Sequence, residues 1–433
     1  MDYKRKKISD GEYINTICTD KFKTAVFTVK FIMPLSEKTA SYYALIPNVL
    51  KCGTAELPTI REISRRLQEL YGMELFSSSV KVGDYQSVSF SIAMLDSKYS
   101  MGDGGNITEQ AISLLSSVIF SPYTENGVFS AAYVEREKKT LIDSIRATRN
   151  NKNSFAVEKC VEHMFAGDPF SVNPKGCEKI IAGIDPKTLF SYYEKFLSEA
   201  RIEAFYIGAE PHEKIEKIFA EKFHFSERNY SALPEVRRKV AVKVNEAQED
   251  AAATQGKMVM GFDLGCTSYD AMCDAAPLFM AVFSMSPVSK LFLNVREKLS
   301  LCYYCQGVPE YLKGVLIVSS GIDNTNFEAA KSEILRQLDA VKSGDITDEE
   351  MFFAKKSLND IYMTINDSPF SIENWCFNRV ISGKFYTPEE KADDIMKMDA
   401  GKVSEFARGI KLDTVFFLRG AGTSGLEEEK DEA

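Results

Sequence analysis

Three histidines, His163, His212 and His224, supply all the imidazole chemistry open to this 433-residue chain. No two of them lie one helical turn apart, the spacing that aims a pair of rings at one metal ion. They therefore read as surface or partly packed residues rather than ligands. Nine cysteines form an odd set at irregular intervals, which is no disulfide framework. A reducing cytoplasm is the expected location. Cys302-x-x-Cys305 has the spacing of a zinc or redox pair. It lies in a strand-like run, LCYYCQGV, where residues three apart face opposite ways, so the two thiols are expected to diverge. Gly102-Asp103-Gly104-Gly105 has the composition of a phosphate cradle, but no apolar strand runs into it, and it reads as a loop. The cations Lys4, Arg5, Lys6 and Lys7 read as a solvated tail.

The composition narrows the classes. Hydrophobic residues make up 45% and charged residues 27% of the chain, the balance of a globular protein, and the formal net charge is −9. An acidic surface does not attract nucleic acid or anionic lipid, so neither is an expected partner. No run of about 18 apolar residues is present to span a membrane. The opening MDYKRKKISDGEY has no apolar stretch behind it and does not read as a signal peptide.

The length predicts two or three domains, and the pattern of elements repeats. Residues 24–33 alternate Phe27, Val29 and Phe31 with Thr28 and Lys30, which predicts a strand with one buried face. Thr59 and Glu62 form a capping box that opens a helix ended by Gly72. Strands over 73–82 and 84–95 follow, then helices near 107–119 and 127–150. The second half shows a strand at 257–265, a helical stretch at 269–285, a helix and strands through 289–322, and a long helix opened by a second capping box, Thr347 with Glu350. The closing segments IEAFYIGA and DTVFFLRGA correspond. Two copies mean duplication, not a solenoid. The expected fold is α+β, with two homologous domains that each pack helices on an antiparallel-rich sheet. Their expected extents are 1–225 and 257–433. Polar residues 226–256 between them read as a linker with the entry strand of the second domain, and the tail EEEKDEA as frayed.

Three segments carry a family resemblance that runs from about residue 20 to 421. They are Lys51-Cys52-Gly53-Thr54 with the following LQELYGMEL; Val134-Glu135-Arg136-Glu137 with DPFSVNPKGCEKIIAGI; and SKLFLNVREKLSLCYY. Together they resemble the pitrilysin/insulinase family of zinc metallopeptidases, of the mitochondrial-processing-peptidase-like kind. In active members the helix before the Gly-Thr pair carries H-x-x-E-H, two zinc-binding histidines and a water-activating glutamate. Counting back from Gly53-Thr54, those positions hold Ala44, Pro47 and Asn48. Alanine has no donor atom, proline no carboxylate, and asparagine is a poor zinc ligand. The resemblance places the third ligand at Glu135, which alone does not hold a catalytic zinc. No metal or other cofactor is therefore expected in this chain.

The same resemblance gives Arg296 and Tyr303 the places of the arginine and tyrosine that bind substrate backbone and stabilise the tetrahedral transition state. A fixed guanidinium and a phenol are suitable donors to a developing oxyanion. Leu299 and Ser300 replace the usual Arg-Gly, so the turn before the strand is expected to differ. Without the resemblance, Arg296 would read as pairing with Glu297 or Asn294, and Tyr303 as core. The implied role is the non-catalytic subunit of a heterodimeric zinc peptidase. Its partner would be a related chain with an intact H-x-x-E-H, which alone holds zinc, and this chain would supply Arg296, Tyr303 and half of a chamber for a peptide substrate. The alternative is a peptide-binding or scaffold protein with no part in proteolysis.

Overall fold

The computed structural model describes residues 2–100, 107–225 and 228–420. The loop Gly102–Gly105 and the acidic tail lie outside the described residues. A six-stranded sheet organises the first compact unit. Its strands are β1 (Asp2–Ser9), β2 (Glu12–Cys18), β3 (Thr24–Pro34), β4 (Glu74–Val82), β5 (Tyr85–Leu95) and β8 (Arg201–Gly208), in the order β1-β2-β8-β3-β5-β4. A two-residue pair, β6 (Thr124–Glu125) with β7 (Val128–Phe129), stands apart from it. Helices α1 (Ala40–Leu50), α2 (Ile60–Glu69), α3 (Ile107–Phe120) and α4 (Ala131–Asn150) follow the predicted order. Thr59 and Glu62 close the expected capping box on α2. The core collects Phe27, Phe31, Phe90, Phe196 and Phe219, with Phe31 stacked on Phe196 at 4.4 Å.

The second unit repeats this topology. Strands β9 (Asn245–Ala251), β10 (Gly256–Asp263), β11 (Cys302–Glu310), β12 (Val315–Ile322) and β13 (Lys411–Gly420) lie in the order β11-β12-β10-β13-β9. Removing β1 from the first sheet leaves β4-β5-β3-β8-β2, the same arrangement strand for strand. Directions agree as well: β2 runs parallel to β8 and β9 parallel to β13, and every other neighbour is antiparallel. Two homologous α+β domains are the fold.

Four particulars correct or sharpen the sequence reading. The Lys4–Lys7 cluster is no solvated tail: it belongs to β1, where Lys4 and Lys6 pair with Glu216 at 2.8 Å and Arg5 with Glu203 at 2.6 Å. In β3 both faces are covered, because Thr28 Oγ1 lies 3.1 Å from the Glu373 carboxylate and Lys30 pairs with Glu373 at 2.8 Å. The entry strand read within 226–256 is the polar NEAQEDA at 245–251, and backbone pairing to β13 decides which residues form it.

The fourth concerns which residues form each unit. The first comprises residues through Arg146, Val172–Glu235 and Asp367–Cys376; the second comprises Ala147–Ser171, Val236–Asn366 and the chain from Phe377. Burial explains the interleaving. Helix α5 (Lys152–Met164) sets Ala156 and Cys160 into a cluster with Val259, Phe416 and Leu418 of the second sheet. Just beyond it, Asp168 accepts from the fully buried Lys313 ammonium at 2.8 and 3.0 Å. A buried ammonium without that carboxylate would be strongly destabilising.

Candidate functional site

Helix α1 carries the positions of the expected zinc motif and runs unbroken through Pro47, which denies the Tyr43 carbonyl its N–H partner. Ala44 and Pro47 are buried among Leu45, Ile46 and Val49, and Asn48 is half-buried. Ala44 and Pro47 have no side-chain donor for zinc, and the Asn48 amide is a poor one. The retained Gly-Thr pair after α1 has a structural role. A Cβ on Gly53 would sit 2.3 Å from the Pro58 carbonyl oxygen, and Thr54 Oγ1 accepts from the Leu57 N–H at 2.9 Å. Gly176, in the second matching segment, is likewise required: its φ is +84°, and a Cβ there would meet Ser41.

On α4, Glu135 is exposed and accepts from the Lys138 ammonium at 2.7 Å. Lys138 is buried and also donates to the Ile184 carbonyl at 3.0 Å. The charge at the third-ligand position is thus balanced by a protein cation. The neighbours that reach the end of α1 are Arg136 and Glu137. Arg136 donates to Cys52 Sγ at 2.9 Å and to Glu137 at 2.9 Å, while Cys52 lies 3.6 Å from Glu137 Oε1. Burial, with Glu137 adding to it, pushes the Cys52 thiol up to about 12.

The second unit brings Arg296 and Tyr303 together. Both line an open surface cavity of about 380 Å³ with Glu297, Ser300, Leu301, Cys302 and Asp323. Arg296 projects from the helical turn Leu291–Lys298, lies over the Phe292 ring at 5.0 Å and approaches the Glu297 carboxylate at 3.6 Å. Tyr303 is 55% exposed, so it is not core, and its hydroxyl is 3.5 Å from Asp323 Oδ1. Arg296 keeps N–H groups for a further acceptor, and the single Tyr303 O–H, directed at Asp323 across a long 3.5 Å, can turn to one. Ser300 sits at φ +49°, and beside it the Leu301 N–H donates to the Val295 carbonyl at 3.0 Å. That bond spans one residue more than the six-to-one bond of the common helix-closing motif, in keeping with the wide turns of Leu291–Lys298, and it likewise encloses a left-handed residue, the conformation that favours glycine.

The cysteine pair at this cavity is arranged differently from the sequence expectation. Strand β11 slips register between Cys302, opposite Ile322, and Tyr304, opposite Gly321. Tyr303 is the extra residue of a β-bulge, and it returns Cys302 to the face of Cys305. The two thiols interact there: Cys305, with help from Arg296, holds Cys302 below the ordinary thiol range, and Cys302 together with burial raises Cys305. A spacing argument that assumes strict alternation misses this, because the bulge is set by the partner strand.

His163 stacks on Phe416 at 5.8 Å and His224 is exposed. Among the described residues, no helix is long and apolar enough to cross a membrane.

Comparison with known proteins gives consistent matches. The model of the Peptidase M16 inactive domain matches residues 183–358. A Bacillus subtilis (strain 168) protein, Probable inactive metalloprotease YmfF, is 27% identical over 410 residues, covering 95% of this chain and 96% of that one. A Rickettsia bellii uncharacterized zinc protease is 24% identical over 310 residues, 67% of this chain and 71% of its own. Among solved structures, a conserved protein from Enterococcus faecalis V583 superposes with a TM-score of 0.89 at 24% identity, covering 98% of this chain and 99% of its own. A peptidase M16 inactive domain from Pseudomonas fluorescens does so with a TM-score of 0.79 at 14% identity, covering 97% and 99%. At these identities the structures speak for the fold.

Proposed function

The chain is a degenerate member of the pitrilysin/insulinase family of zinc metallopeptidases, an inactive peptidase homologue without H-x-x-E-H, and from that premise we propose that it is the non-catalytic subunit of a heterodimeric zinc peptidase. One observation carries the reading: Arg296 and Tyr303 line one open cavity with their donor groups accessible, while Ala44, Pro47 and Asn48 leave α1 without a ligand. In this role the partner, with H-x-x-E-H intact, holds zinc and activates water, and the two chains enclose a peptide substrate. As the attacked carbonyl becomes anionic, the Arg296 guanidinium and the Tyr303 phenol donate to it, and fixed donors in a water-poor chamber stabilise that charge.

The test is turnover of the reconstituted pair. Tyr303→Phe is expected to lower kcat by about 10²–10³ with little change in KM. Arg296→Lys lowers it as well, because lysine lacks the planar fork. The chain alone cleaves no peptide in a chelator-sensitive way. Both side chains are partly exposed, so unfolding of the single chain should move by less than about 0.5 kcal/mol. Full activity of the pair with both variants overturns the reading.

That result would favour a scaffold that grips an extended peptide. Strand β11 ends its sheet, and Tyr303 and Val308 stand exposed along it, as strand addition requires.

A further inference from the structure

Away from both sites, three side chains of different chemistry converge at one end of the first sheet. Asp2 opens β1 and is paired directly with Cys18, which closes β2. Cross-strand partners present their side chains on the same face. His212 is the first residue of the helix His212–Lys222, and its ring lies over that face. His212 Nε2 is 3.3 Å from Asp2 Oδ1, and its Nδ1 is 2.6 Å from Thr16 Oγ1. A carboxylate oxygen, the Cys18 sulfur and a His212 ring nitrogen all lie within 4.8 Å of one another.

We propose that Asp2, Cys18 and His212 form a zinc-class metal site, separate from the degenerate motif of α1. The donor set is the first reason. A carboxylate, a thiolate and an imidazole are the three side-chain types that zinc accepts, and a thiolate selects against magnesium and calcium. Geometry is the second. Bonds of about 2.0–2.3 Å in a tetrahedron set ligand atoms about 3.4 Å apart. The Asp2–His212 separation of 3.3 Å already matches, and the sulfur, within 4.8 Å of both, has at most about 1.4 Å to close. Orientation is the third. Thr16 engages Nδ1 and leaves Nε2 aimed at the site, the outer hydrogen bond that metal-bound histidines use to fix ring and tautomer. The His212 side chain is 14% exposed and Asp2 is 71% exposed. The site is therefore walled on the protein side and open to a water as fourth ligand.

Binding exchanges one proton. The Cys18 thiol, now donating to the Glu210 carbonyl at 3.2 Å, loses its hydrogen to solvent as the sulfur–metal bond forms. Two ligand anions then balance the dication. The metal would pin β1 and the helix His212–Lys222 to the end of β2. A nucleophilic role for Cys18 fits less well, because oxygen atoms already engage both nitrogens of His212.

Cobalt(II) tests the site without any enzymatic assay. The intact chain, stripped of metal by chelator and dialysed, is titrated with cobalt alone and then with zinc as competitor. One equivalent should give a thiolate-to-cobalt charge-transfer band with visible bands of a four-coordinate ion, all displaced by zinc. Cys18→Ser should abolish the charge-transfer band, and His212→Gln should weaken binding at least tenfold. Asp2→Asn should weaken it less. Circular dichroism shows whether each variant is folded, and zinc should raise the Tm of the parent but not of Cys18→Ser. No saturable cobalt binding by the parent, or a charge-transfer band unchanged in Cys18→Ser, overturns the proposal.

Discussion

Ser300 stands where the resemblance places a glycine, and it takes the left-handed conformation in the turn that closes the helix Leu291–Lys298. A side chain in that conformation costs about 1 kcal/mol. Ser300→Gly should therefore stabilise the chain by up to about 1 kcal/mol, while Ser300→Val, β-branched at positive φ, should lose about 1–2 kcal/mol. Urea unfolding of the three proteins decides it. Equal stabilities would mean that the turn relaxes out of the left-handed region. The same residue-level logic explains α4, where Lys138 balances Glu135 in a site that no longer offers paired histidines.

At the scale of elements, the long helix Asp348–Ile365 is anchored twice at its N-terminus. Thr347 and Glu350 make the expected capping box, and Glu350 also accepts from the Lys290 ammonium at 3.0 Å. Both charges of that pair are nearly buried, at 6% and 11% exposure. The two contributions separate by magnitude. Thr347→Ala removes a cap and should cost about 1 kcal/mol. Glu350→Ala removes the cap and also strands a buried ammonium, so it should cost about 3–5 kcal/mol. A double change, Glu350→Ala with Lys290→Met, should recover much of the loss. Denaturant melts of the variants check this, and equal losses from Thr347→Ala and Glu350→Ala would show that the ion pair contributes nothing.

For the whole molecule, the interleaved units change what a cut should do. The stretch from Arg228 to Val244 has no regular structure, and Val242 is 94% exposed, so limited proteolysis should nick there first. The second unit, however, includes Ala147–Ser171 from the N-terminal side of that nick. Without it, Val259, Phe416 and Leu418 lose the cover of α5, and Lys313 loses Asp168. The two fragments should therefore co-elute on gel filtration after cleavage, and residues 245–420 expressed alone should aggregate. A soluble, cooperatively unfolding 245–420 fragment would refute this account.

Much of this protein was legible in the sequence where a feature depends on residues a few positions apart. The strand periods, the capping boxes and the doubled order of elements are all of that kind. The rest depends on pairing between distant segments. A polar strand, NEAQEDA, forms because β13 supplies its backbone partners, and the Lys4–Lys7 run becomes β1 because β2 supplies the others. The bulge at Tyr303 depends on the register of β12 and decides where two thiols point. Thr16 and His212, 196 residues apart, meet because β2 pairs with β8 and the helix after β8 returns over that sheet. Side-chain chemistry is written locally, whereas the face and the neighbour of each side chain are set by hydrogen-bond register across the sheet.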